Sequence, residues 1–165
     1  MNPNRSTYIV FIVFLIVFTT CYDVVAYKAD THRNQSSTAV ENSILVEIEF
    51  LNSIGIHDLN EKFNLKTIDE WIKHGADKED TDPRYLNHFH NPLKPWSDAG
   101  LNDFFSGESS LLWSQDGSNE FSWQSTRQNY YNALTLSSKA SRDVSFGKVF
   151  KGLGHLIGCI RNLLT

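Results

Sequence analysis

Apolar residues in this chain cluster at three- and four-residue steps, the rhythm of amphipathic helices rather than strands. Val40, Ile44, Ile48, Leu51 and Ile54 keep that rhythm behind Thr38-x-x-Glu41, a capping-box pattern, and predict one helix stopped by Gly55. Thr67-x-x-Glu70 is a second capping box and predicts a short helix through Trp71 and Ile72, ending near Gly75. Residues 77–115 carry turn chemistry at Asp82-Pro83, Asn91-Pro92, Lys94-Pro95 and Ala99-Gly100, with little periodicity. They read as a long, ordered, aromatic-rich loop region, a length that function would have to hold in place. Ser122 is placed to cap a helix carrying Trp123, Arg127, Tyr130, Tyr131 and Leu134 on one face. Phe146, Val149, Phe150, Leu153, Ile157, Ile160 and Leu164 predict a last helix to the terminus. Gly147, Gly152, Gly154 and Gly158 inside it each cost up to ~1 kcal/mol relative to alanine. That cost makes sense where another helix or a ligand approaches closely. The predicted fold is mainly α.

The first 26 residues read differently. Arg5 gives a small positive start, and Tyr8 to Phe18 is an unbroken apolar run of 11 residues. That length falls in the ~7–15 range of a signal-peptide core and below the ~18–20 needed to span a bilayer. Val24-Val25-Ala26 offers small-residue cleavage chemistry, so 1–26 is expected to be a signal peptide and 27–165 one exported domain. An uncleaved N-terminal membrane anchor is the alternative. Cleavage after Ala26 would leave Cys159 as the only cysteine, so no intrachain disulfide is available. Asn34-Gln35-Ser36 is a glycosylation sequon, meaningful only on a eukaryotic secretory route.

Charge narrows the function classes. The net charge of −4 and pI near 5.8 argue against a protein that coats nucleic acid, and no nucleic-acid partner is expected. Residues 139–165 nevertheless hold five cations against one carboxylate, Asp143, which reads as a solvated helix face. Asp77, Glu79, Asp80, Asp82, His88 and His90 fall within fourteen residues, with His32 near the expected mature start. Carboxylates mixed with imidazoles suit zinc, which accepts oxygen and nitrogen ligands alike, although acidic runs are commonly only solvated. No nucleophile-elbow glycine pattern supports a serine triad.

These residues also carry a resemblance. Thr31-His32, Gly75-Ala76-x-x-Glu79-Asp80 and Asn87-His88-Phe89-His90-Asn91-Pro92-Leu93 are similar to segments of zinc-dependent phospholipase C proteins. Ser122-Trp123-Gln124, Tyr130-Tyr131-x-Ala133-Leu134 and Phe150-x-x-Leu153-Gly154 extend the similarity from about His32 to about Gly154. The resemblance implies a phospholipase C/nuclease-like helical domain, and fungal single-strand nucleases are the alternative within that superfamily. It also implies an exported hydrolase of phospholipids or other phosphodiesters, in which zinc lowers the pKa of bound water towards ~7. Carried over, His32 resembles the early histidine ligand, His88 the loop histidine, and Asp80 a carboxylate ligand and possible base, with Asp77 as its alternative. Tyr27 would stand where relatives present a terminal tryptophan.

The chain departs from that pattern in its last helix. Relatives bear His-x-x-x-Asp there, with both ligands on one face, and alignment on Phe150-x-x-Leu153-Gly154 puts Gly158 and Asn162 at those places. His155 has Cys159 four residues on, and Thr165 is reached before a further histidine and helical His/acid pair. The expectation is a C-terminally incomplete copy with a partial zinc site. A non-catalytic remnant or interaction module, using aromatics such as Trp96, Phe104, Phe105, Trp113, Phe121 and Trp123, is the rival reading.

Overall fold

A computed structural model describes residues 29–102 and 106–161, apart from the side chains of residues 29–32 and 161. The expected leader, Tyr27 and Asn162 lie outside the described residues, as does the side chain of His32. The described chain is mainly helical: α1 (Ala29–Glu41), a 3-10 turn (Ile44–Val46), α2 (Ile48–Ser53), α3 (Ile68–Glu79), 3-10 turns at Arg84–Asn87 and Trp96–Asp98, α4 (Ser110–Trp113), α5 (Trp123–Thr135) and α6 (Lys139–Arg161). Among the described residues there are no strands, and no helix is long and apolar enough to cross a membrane.

The single helix expected over 38–54 is broken. Thr38 lies inside α1, and the chain turns at Asn42-Ser43, where Ser43 caps the 3-10 turn with a hydrogen bond from Leu45 N. The break shifts the phase of the apolar stripe, so Val40 and Leu51 are buried while Ile44 is 52% exposed. Gly55 does end α2, at φ +82, a left-handed conformation that glycine adopts without steric cost. The Thr67/Glu70 capping box forms as read, with both reciprocal hydrogen bonds. Yet α3 does not stop near Gly75 and runs on to Glu79.

Gly75 is buried because α3 and α6 touch backbone to backbone. A Cβ on Gly75 would lie 2.0 Å from Lys151 O, and one on Gly154 would lie 2.1 Å from Ile72 O. Gly147 faces Trp71 and Gly158 faces Glu79, so the contact steps along both helices in the same direction and they run parallel. The glycines read as a cost within α6 are thus the surface against which α3 lies. On α5 the expected apolar face points outward: Trp123, Tyr131 and Leu134 are exposed, and the buried residues are Thr126 and Ala133. Small residues win there because Thr126 packs on Gly152, where no larger side chain fits.

The core joins these elements through Val40, Leu51, Ile56, Phe63, Ile68 and Ile72 from the first half, with Ala133, Phe146, Val149 and Phe150 from the hairpin of α5 and α6. Phe63 packs on Phe146 and Phe150, with ring centroids 5.3 and 5.6 Å apart. The described part of the long loop region is held by its own hydrogen bonds, among them Asn91 N to Ala99 O at 2.8 Å and Ser110 N to Phe89 O at 3.1 Å.

Candidate functional site

Glu79 is the last residue of α3, and its side chain is fully buried against α6. Donors from three other segments converge on it. Arg84 Nε donates to Oε2 at 2.7 Å, and His155 Nδ1 lies 2.5 Å from the same oxygen. Trp113 Nε1 donates to Oε1 at 2.9 Å, and the Cys159 thiol donates to it at 3.3 Å. His88 Nε2 lies 3.7 Å from Oε1, beyond hydrogen-bond length.

The segments are placed for this. Arg84 follows α3 in the first 3-10 turn of the loop region, and its Nη2 also donates to Asn119 Oδ1 at 3.1 Å. Its guanidinium lies 5.0 Å from the Trp113 ring centroid and 5.6 Å from that of Phe121. His155 and Cys159 sit one turn apart on α6, hence on one face. Phe121 stacks on the His155 imidazole at 4.2 Å and 8°.

Burial opposes ionisation of Glu79, but the hydrogen bond from His155, the nearby His88 imidazole and the charge of Arg84 outweigh it. Its carboxyl is held far below the usual carboxylate range. Burial pushes His155 the other way, below the ordinary imidazole value, against the pull of Glu79. The two shifts agree on one arrangement: a neutral imidazole donating its Nδ1–H to a carboxylate. Burial, and then the Glu79 charge, push the Cys159 thiol up, so it is a thiol and not a thiolate.

Beside this hub stand the residues expected from the sequence. His88 is buried, with Nδ1 3.2 Å from Asp80 Oδ1, and its Nε2 has no hydrogen-bond partner among the described residues. Asp80, the residue after α3, is thus brought against His88. Asp77 Oδ2 accepts from Arg33 Nε at 2.7 Å, tying α1 to α3. His32 precedes Arg33, so its backbone stands at that contact. His90 lies elsewhere, with Nδ1 2.8 Å from Ser109 Oγ.

The residues missed by sequence reasoning are the centre itself. Glu79 stands inside the quoted Glu79-Asp80 pair, but the sequence gives no sign of which carboxylate faces inward. His155 and Cys159 have the four-residue spacing of a shared face, a signal present in the sequence.

Zinc is the ion the resemblance implies, and the described residues do not make a multi-zinc site. No three imidazole, thiol or carboxylate groups among them converge as ligands of one ion. Glu79 is already neutralised by Arg84, and Gly158, which packs on the Glu79 side chain, brings no ligand atom. What the residues do fit is one imidazole ligand: His88 has one nitrogen against a carboxylate and the other buried without a hydrogen-bond partner, the way metal-bound histidines are oriented. The class defined by fold and site is a mainly helical protein built around a buried, ion-paired carboxylate. Comparison with family models, with curated proteins and with solved structures finds no match to this chain.

Proposed function

We propose that this chain is an exported zinc-dependent phosphodiester hydrolase of the phospholipase C type, with a reduced metal site and weak turnover. Phospholipid or another phosphodiester is the substrate class. The observation that supports this reading is the His88–Asp80 pair at 3.2 Å with His88 Nε2 buried and without a hydrogen-bond partner, built from the residues that carry the resemblance. His32, one position before the Arg33–Asp77 contact, is the third residue assigned to the metal. Elemental analysis after dialysis should find one weakly held zinc per chain. A phosphatidylcholine analogue with added zinc should turn over slowly, and His88→Ala should abolish both. Two or more retained zincs would overturn the reduced site, and turnover indifferent to His88→Ala would overturn the assignment.

One observation favours a second reading, a non-catalytic remnant. Arg84 supplies at Glu79 the positive charge that a metal would supply in a hydrolase. That reading expects no retained zinc and no turnover at any zinc concentration.

A further inference from the structure

A second concavity lies away from the carboxylate hub, between α2, α5 and the N-terminal half of α6. Its cavity is about 190 Å³. Phe50 and Ile54 of the α2 segment form one side, and Val149, Phe150 and Leu153 of α6 the other. The exposed rim belongs to α5: Trp123 is 51% and Tyr130 36% exposed, with Arg127 between them in sequence. At the floor Phe150 is 2% exposed.

Arg127 is the one charged residue that lines the pocket, and no carboxylate pairs with it among the described residues. The surface offered inside is apolar, so exposed Arg127 contributes its methylenes to the lining, and long cationic side chains arranged in this way keep the charged end in water. A half-open apolar groove lined by a single unpaired cation is complementary to a chain with an acid at one end. The size sets the class further. An apolar cavity of about 150 Å³ stays dry and accepts benzene, whereas pockets for larger ligands run to roughly 300–1,000 Å³. The pocket is too small for a two-chain lipid and large enough for a short alkyl chain.

We infer that this pocket binds a single-chain anionic amphiphile, its alkyl chain between α2 and α6 and its acid group on Arg127. The inference is independent of the function proposed for the carboxylate hub, because none of its residues belongs to that hub.

Octanoate and 1-octanol, titrated into the full chain by calorimetry, separate the chain from its charge. One octanoate should bind per chain, and Leu153→Trp, which fills the cavity, should remove binding of both ligands. Arg127→Gln should weaken octanoate about threefold, as an exposed ion pair is expected to, and leave octanol unchanged. Trp123→Ala, at the half-exposed rim, should weaken both. Absence of octanoate binding to the wild-type chain would overturn the proposal, as would equal binding by the Leu153→Trp variant. Sedimentation showing a dimer that Leu153→Trp dissociates would overturn it too, because a second copy would then be the occupant.

Discussion

Gly154 of α6 stands so close to Ile72 of α3 that a Cβ on the glycine would lie 2.1 Å from the Ile72 carbonyl oxygen and 2.9 Å from Ala76 N. Both obstacles are backbone, which cannot swing aside as a side chain can. In an open helix, alanine is better than glycine by about 0.8–1 kcal/mol. Here the sign reverses: Gly154→Ala must push two packed helices apart, and a loss of about 1–3 kcal/mol or more is expected. Gly117→Ala, whose nearest neighbour would be a glutamine side-chain end at 3.4 Å, should stay within about 0.5 kcal/mol of wild type. Urea titration of the two variants checks both. An unaffected Gly154→Ala would mean that the α3–α6 contact is looser than described.

Glu79 ties the same two helices to the loop region. Removing one partner of a buried ion pair typically costs about 3–5 kcal/mol, since the other charge is left without compensation. Glu79→Ala should therefore lie in that range, reduced to the extent that Arg84, which is 21% exposed, finds water. Cys159→Ala removes only a long thiol hydrogen bond, together with a small buried side chain. It should cost far less. Denaturant midpoints that rank these variants the other way would show that Glu79 is not the hub.

Acid should unfold the protein through two groups in sequence. His155 has its folded value below the ordinary 6.5, so the neutral form is favoured in the folded state. Its contribution is complete above about pH 6.5 and is lost as pH falls below it. Glu79 has its folded value below the ordinary 4.5, so its contribution is complete above about pH 4.5 and is lost as pH falls further. Stability should fall monotonically from pH 7 to pH 4. His155→Gln should flatten the limb that begins as pH falls below about 6.5, and Glu79→Gln the limb that begins below about 4.5. A midpoint that rises on acidification would contradict both assignments.

Most local signals were readable, the Thr38-x-x-Glu41 box inside α1 being the exception, and long-range ones were not. The Thr67/Glu70 capping box, the Ser122 cap and the Gly55 stop all depend on residues within a few positions, and each forms as the sequence indicates. The end of α3 misled because Gly75 resembles a stop, whereas its lack of a side chain serves a contact with Lys151, 76 positions away. The break at Asn42-Ser43 misled in the opposite sense, since the apolar rhythm continues across it. In the site, His88 and Asp80 are near in sequence and meet. Glu79 was hidden because its partners His155 and Cys159 lie on the far helix, and nothing local distinguishes it from Asp77 or Asp80.

A last prediction concerns the turn that sets Phe63 in the core. Phe63 N donates to Lys66 O at 2.8 Å, and the two residues between them, Asn64 and Leu65, both have positive φ, at 48° and 80°. That pair of angles is a type I′ turn, which prefers glycine in the second central position. Leucine there pays a left-handed backbone cost of about 1–2 kcal/mol. It recovers little by packing, being 83% exposed. Leu65→Gly removes the strain and gives back part of the gain through the freer unfolded chain, about 0.5–1 kcal/mol. A net stabilisation of about 0.5–1 kcal/mol is expected. The turn matters beyond itself because Phe63 O accepts from Trp71 Nε1 at 2.6 Å, and Trp71 is the residue that Gly147 faces. Thermal melts of Leu65→Gly beside Leu65→Ala test this: the alanine variant keeps the strain and should stay within about 0.5 kcal/mol of wild type. If Leu65→Gly melts at or below the wild-type temperature, Leu65 is not strained in this turn.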